Sequence, residues 1–114
     1  MIIYWHNPRC SKSRAGLALL QDRGAEVTVR LYLQDAPSEA EITAAWRALG
    51  EPPVIDMMRS ADKAFSEAGL RKTDSDAVLM AAMAANPALI ERPIAISGAR
   101  AVIGRPTERL LDLA

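Results

Sequence analysis

Aromatic residues make up only 4% of this sequence, cysteine and histidine occur once each, and the formal charge sums to zero. Each shortage excludes something. A single cysteine cannot close an internal disulfide, so the fold must rest on its core rather than on staples, and a small cysteine-poor chain fits a reducing cytoplasm. The 14 basic and 14 acidic side chains cancel. Without a global field, neither nucleic acid nor an anionic membrane is an expected partner. An anion site would have to be built from a few arginines brought together locally. No run approaches the roughly 18–20 apolar residues that span a bilayer. The opening Met1-Ile2-Ile3-Tyr4-Trp5-His6 lacks the basic start, apolar run and small-residue cleavage site of a signal peptide. There is no internal repeat or low-complexity stretch, and neither a metal nor a bound cofactor is expected.

What is present is a compact budget of small apolar residues. Half of the 114 residues are hydrophobic, with many alanines, which suffices for one domain over residues 1–114. Ile2–Trp5 is short and β-prone, as a buried strand is, and Asn7-Pro8 breaks it. Ser11–Arg23 has helical patterning, with Gly24 as a stop. Val27–Leu33 alternates and is rich in β-branched residues, so it reads as a second strand, parallel to the first through a right-handed crossover. Ser38-Glu39-Ala40-Glu41 is a capping box opening a helix to about Leu49, and Gly50 ends it. One or two short helices follow between Val54 and Gly69. Another starts at Thr73 or Asp74 and stops at Asn86-Pro87. Ile94–Ser97 and Arg100–Ile103 flank Gly98-Ala99, a hairpin signal. Pro106 suits the first turn of a final helix through Leu113. The order is β-α-β, a helical insert at about residues 38–90, then β-β-α, which predicts an α/β thioredoxin-like fold.

Cys10 falls between the first strand and the first helix. A helix N-terminus presents unpaired N–H groups and a partial positive charge, and both favour thiolate over thiol. His6, Arg9, Lys12 and Arg14 lie close by in sequence and are candidates to add to that effect. A lone intracellular cysteine is commonly a small core hydrophobe. Here Pro8, Arg9, Ser11 and Lys12 make the surroundings polar, so Cys10 reads as a nucleophile. Ser13 stands where the second sulfur of a CxxC pair would be. Its hydroxyl is placed to hydrogen-bond the thiolate but cannot form a disulfide, so a covalent Cys10 adduct needs a second thiol from outside.

These residues carry a resemblance. His6-Asn7-Pro8-Arg9-Cys10-Ser11-Lys12-Ser13-Arg14, Leu31-Tyr32-Leu33, Met58-Arg59, Glu91-Arg92-Pro93-Ile94 and Gly104-Arg105-Pro106 are similar in order and spacing to the glutaredoxin-linked arsenate reductase family. The CSKS string and the short length resemble its chromosomal members rather than the longer plasmid-type ones. The resemblance implies a thioredoxin-like fold with a helical insert. It implies a cysteine that attacks arsenate or a similar oxyanion, glutathione as co-substrate, and glutaredoxin as the source of reducing equivalents, in arsenic resistance. Three oxyanion-holding arginines fall by motif on Arg59, Arg92 and Arg105. His6 corresponds to a histidine that tunes the thiol, as an alternative to a purely structural role. Asn7, Ser13 and Pro93 fall on the thiol and glutathione side, Pro93 resembling the cis-proline of thioredoxin folds.

Arginine suits that task because its planar fork matches an oxyanion better than a lysine point charge does. Two other readings compete. A monothiol transferase acting on glutathione mixed disulfides would need Cys10 and Pro93 but not the three arginines. A regulatory binding module like the related Spx proteins would use the insert surface and could dispense with Cys10. Trp5 and Trp46 read as packing.

Overall fold

The computed structural model describes residues 1–114. Its centre is strand β1 (Ile2–Trp5), which pairs parallel with β2 (Val27–Arg30), Ile2 opposite Val27 and Trp5 opposite Arg30. On its other side β1 runs antiparallel to β3 (Ile94–Ser97), which turns through Gly98-Ala99 into β4 (Arg100–Ile103). Gly98 has φ of 58°, the left-handed geometry such a tight turn requires. The four-stranded sheet has order β2-β1-β3-β4. Helix α1 (Ser11–Asp22) makes the crossover from β1 to β2.

The insert holds α2 (Glu39–Ala48), a 3₁₀ turn at Val54–Met57, α3 (Lys63–Glu67), α4 (Asp76–Ala85) and a second 3₁₀ turn at Pro87–Leu89. The capping box forms as the spacing predicts: Glu41 N–H donates to Ser38 Oγ at 3.1 Å, and Ser38 N–H donates to Glu41 Oε1 at 3.0 Å. Glu41 also pairs with Arg30, and hydrogen bonding from Arg30 and Ser38 holds its carboxyl down to about 2. No helix is long and apolar enough to cross a membrane.

Side chains alternate across the sheet, so its two faces meet different partners. Ile2, Tyr4 and Ala95 face α1 and the C-terminal 3₁₀ segment Thr107–Leu113, packing with Leu20 and Leu110. Trp5 and Ile94 face the insert and join Tyr32, Ile42, Met57, Leu79 and Met83. Each large side chain buried in this way contributes about 1.5–3 kcal/mol. Trp46, read as packing, leans on this core and donates its indole N–H to Pro52 O at 2.6 Å.

Three boundaries differ from expectation. β2 ends at Arg30 rather than Leu33, because the Leu31 carbonyl accepts from the N–H groups of Gln34 and Asp35 at 3.0 and 2.8 Å, closing a turn. Arg30 fixes that turn by donating to the Asp35 and Ala36 carbonyls, and the reversal buries Tyr32 while leaving Leu31 and Leu33 outside. α4 starts after Ser75, whose Oγ accepts from Val78 N–H at 3.3 Å; Asp74 is occupied in capping Arg71 N–H. The last helix is wound as 3₁₀, and Pro106 precedes its first turn with extended backbone.

Candidate active site

The chain leaves β1 and reverses through Asn7. The Asn7 Oδ1 accepts from Arg9 N–H at 3.1 Å, and the Asn7 carbonyl accepts from Cys10 N–H at 3.0 Å. This turn delivers Cys10 to the N-cap of α1, where its carbonyl accepts from Arg14 N–H and its side chain makes no capping bond. The thiol is thus left facing the opening turn of the helix. Burial by itself pushes the Cys10 thiol up. Against it act the Ser13 N–H at the helix start, the charge of Arg92 and the Lys12 N–H, and the net effect holds the thiol below its ordinary value. The cation involved is Arg92 from the far end of the chain. Arg14 braces the turn by donating to Pro8 O at 2.8 Å.

One sequence expectation changes here. The Ser13 hydroxyl does not reach for Cys10; it is hydrogen-bonded to His6 Nδ1 at 2.7 Å and accepts from Asn7 N–H at 3.0 Å. Ser13 is wholly buried, and its hydroxyl bonds back to the end of β1 and the turn after it. What Ser13 lends Cys10 is the influence of its main-chain N–H at the helix start, which favours thiolate. His6 is also buried, with burial first and the nearby Arg14 charge second keeping its imidazole below the usual range, hence neutral near pH 7. Its one hydrogen bond goes to Ser13, so of the two roles open to His6 the geometry favours the structural one. Tyr4 completes the arrangement by donating to the Ser13 carbonyl at 2.7 Å.

The three arginines come together from three segments. Arg59, Arg92 and Arg105 line one cleft of about 350 Å³, with Met58, Asp62 and Glu91 among its other walls. Main-chain bonds place them. Arg59 N–H donates to Leu89 O and Glu91 N–H donates to Met57 O, both at 2.8 Å, which ties the insert to the approach to β3. Arg105 Nε donates to Arg92 O at 2.7 Å. Arg59, isolated in the insert by sequence, is therefore a full member of the cluster.

Pro93 follows Arg92 through a cis bond, as the resemblance implied; Arg105–Pro106 is cis as well. Gly104 N–H donates to Pro93 O at 2.9 Å. Gly104 has to lack a side chain there, since a Cβ would come within 2.9 Å of both Pro93 Cγ and Leu110 Cγ.

Sequence reasoning passed over the two acids of the cleft. Asp62 pairs with Arg59 at 2.8 Å, and Glu91 Oε1 lies 3.2 Å from Arg105 Nε and 3.4 Å from an Arg92 terminal nitrogen. An acid three residues from one site arginine and another directly before a second were the available signals. Hydrogen bonding from Ala64 N–H, and then the Arg59 charge, hold the Asp62 carboxyl below its usual range.

A thioredoxin-like fold whose single cysteine starts a helix under the charge of Arg92, one of three arginines lining a cleft, defines a monothiol protein of the α/β class. The chain belongs to the ArsC family, whose model matches residues 5–113. It is 43% identical over 113 residues to an arsenate reductase of Haemophilus influenzae, covering 98% of this chain and 97% of that one. It is 44% identical over 108 residues to an arsenate reductase of Neisseria meningitidis serogroup A, covering 93% and 92%. Among solved structures, an arsenate reductase from Vibrio cholerae superimposes with a TM-score of 0.94 at 41% identity, covering 99% and 97% of the two chains.

Proposed function

We propose that this protein is an oxidoreductase that reduces arsenate to arsenite, with glutathione as co-substrate and glutaredoxin as the reductant. The observation that carries the reading is Arg92: one guanidinium both lowers the pKa of the Cys10 thiol through its charge and lines the cleft shared with Arg59 and Arg105. An anionic nucleophile and an anionic substrate repel each other. A cation between them lowers that barrier, and a planar fork holds the substrate oxygens in line for attack.

In this mechanism the Cys10 thiolate attacks arsenic and one arsenate oxygen leaves as water after taking up protons. Glutathione then displaces a second oxygen to give an adduct carrying both sulfurs. A glutaredoxin thiolate attacks the glutathione sulfur, the electron pair of the sulfur–arsenic bond passes to arsenic, and a mixed disulfide departs. Hydrolysis of the remaining Cys10–arsenic bond releases arsenite and restores the thiolate. Glutathione-linked chemistry of this kind belongs in the cytoplasm.

The test is arsenate-dependent NADPH oxidation in the presence of glutathione, glutaredoxin and glutathione reductase. Wild type should sustain it and Cys10→Ser should abolish it. Arsenate-independent oxidation, or an undiminished rate in Cys10→Ser, would overturn the reading.

A further inference from the structure

The cleft pairs its three guanidiniums with two carboxylates, and these are not equivalent. Both oxygens of Asp62 are committed, Oδ1 to Ala64 N–H and Oδ2 to Arg59. Glu91 commits only one. Its Oε1 accepts from Arg92 N–H at 3.1 Å and takes the contacts with Arg92 and Arg105, while Oε2 has no partner and is not sealed from solvent. Close by, Arg92 Nε is buried without any acceptor. Glu91, which lines the cleft with the three arginines, therefore keeps one carboxylate oxygen that no group of the protein engages.

A carboxylate in an anion site has a definite chemical meaning. Tetrahedral oxyanions divide into those that keep at least one O–H at neutral pH, such as arsenate and phosphate, and those that keep none, such as sulfate and selenate. The first kind can donate its O–H to a free carboxylate oxygen. The second meets that oxygen with lone pairs only, and repulsion is left without compensation.

Resting on the reading of this cleft as an oxyanion site, we infer that Glu91 is a specificity-determining residue that selects protonated oxyanions over fully deprotonated tetrahedral dianions. Sites built to accept a substrate O–H reject the analogue lacking it, by factors reaching about 10⁴ when sealed. Glu91 is partly open, so a ratio of about tenfold to a hundredfold is expected here.

Phosphate and sulfate make the decisive pair of probes, being similar in size and shape and inert toward the thiol. Each is titrated, at constant ionic strength near pH 7, as a protectant of Cys10 against iodoacetamide in the full-length protein. Wild type should be protected by phosphate at a concentration at least about tenfold below that needed for sulfate. In Glu91→Gln, which keeps an oxygen for the arginines and presents an amide N–H in place of Oε2, that ratio should collapse toward one. Glu91→Asp, which keeps the carboxylate, should retain a preference for phosphate. Equal protection in wild type, an unchanged ratio in Glu91→Gln, or equal loss in Glu91→Asp and Glu91→Gln would each overturn the inference. Equal protection in a protein that still turns over arsenate sinks the inference alone; absence of both protection and turnover sinks the oxyanion site as well.

Discussion

Ser13 Oγ lies 2.7 Å from His6 Nδ1, inside a buried network that also holds the Asn7 N–H and the Tyr4 hydroxyl. The position that carries the second sulfur in a dithiol site thus belongs, in this protein, to the scaffold behind the nucleophile. It fixes the turn that delivers Cys10 and leaves the thiol chemically alone.

Removing that hydroxyl tests the division of labour. Ser13→Ala strands the Asn7 N–H and the His6 ring, and should cost about 1–3 kcal/mol of stability. Thermal melting should drop accordingly, while the pH profile of Cys10 alkylation stays near that of wild type. A large shift in the profile with unchanged stability would return Ser13 to a direct role at sulfur.

Cys10 should titrate below the ordinary cysteine range, since the N–H groups of the helix start and the Arg92 charge outweigh its burial. Alkylation rate against pH reads the midpoint directly, and Arg92→Ala should move it upward. The sign of the linked stability follows. With the folded value depressed, the thiolate stabilises the fold above the unfolded value, and that contribution is lost as pH falls through the folded one. Cys10→Ser should flatten the stability profile in that window.

Arg59→Ala, Arg92→Ala and Arg105→Ala should each lower kcat/KM for arsenate by about 10²–10³, the usual consequence of losing one preorganised donor to a developing anion. Lysine should restore only part of it, because a point charge cannot reproduce the fork. Steady-state kinetics decide the matter. Wild-type arsenate kinetics in all three alanine variants would favour the transferase chemistry that needs no clamp.

Turnover should require added thiol. Cys10 is the sole cysteine, and the Ser13 hydroxyl is turned into the scaffold, so no internal disulfide can discharge an adduct. Mass spectrometry of protein with arsenate alone should find at most one adduct per chain. Repeated arsenite release without glutathione would contradict the mechanism.

How far the sequence reveals all this depends on the range of each interaction. β1, the β3–β4 hairpin and the Ser38–Glu41 capping box are set by neighbours in the chain, and the pattern discloses them within a residue. The end of β2 is not local: Arg30 reaches to Asp35, Ala36 and Glu41, and that grip overrides the β-prone run through Leu33. The site divides the same way. Cys10 is legible because strand, turn and helix start lie side by side. The convergence of Arg59 with Arg92 depends on pairing between Met57–Arg59 and Leu89–Glu91, which only the motif resemblance anticipates. The side on which Ser13 presents its hydroxyl, and the presence of a free carboxylate oxygen among guanidiniums, depend on packing direction, and no spacing encodes that.

Because the clamp is assembled from the insert, the approach to β3 and the exit of β4, it has no counterpart in the unfolded chain. Any anion held there is consequently a ligand of the native state alone. By mass action it should raise the melting temperature with the logarithm of its concentration, adding about 2.7 kcal/mol at a hundred times its dissociation constant. The insert that supplies Arg59 would be the segment drawn tighter, so occupancy of the cleft would be felt as slowed amide exchange near Arg59 and Leu89, whose main chains are already joined. Substrate and fold should then be thermodynamically coupled, with tolerance of heat a gauge of what the cleft holds.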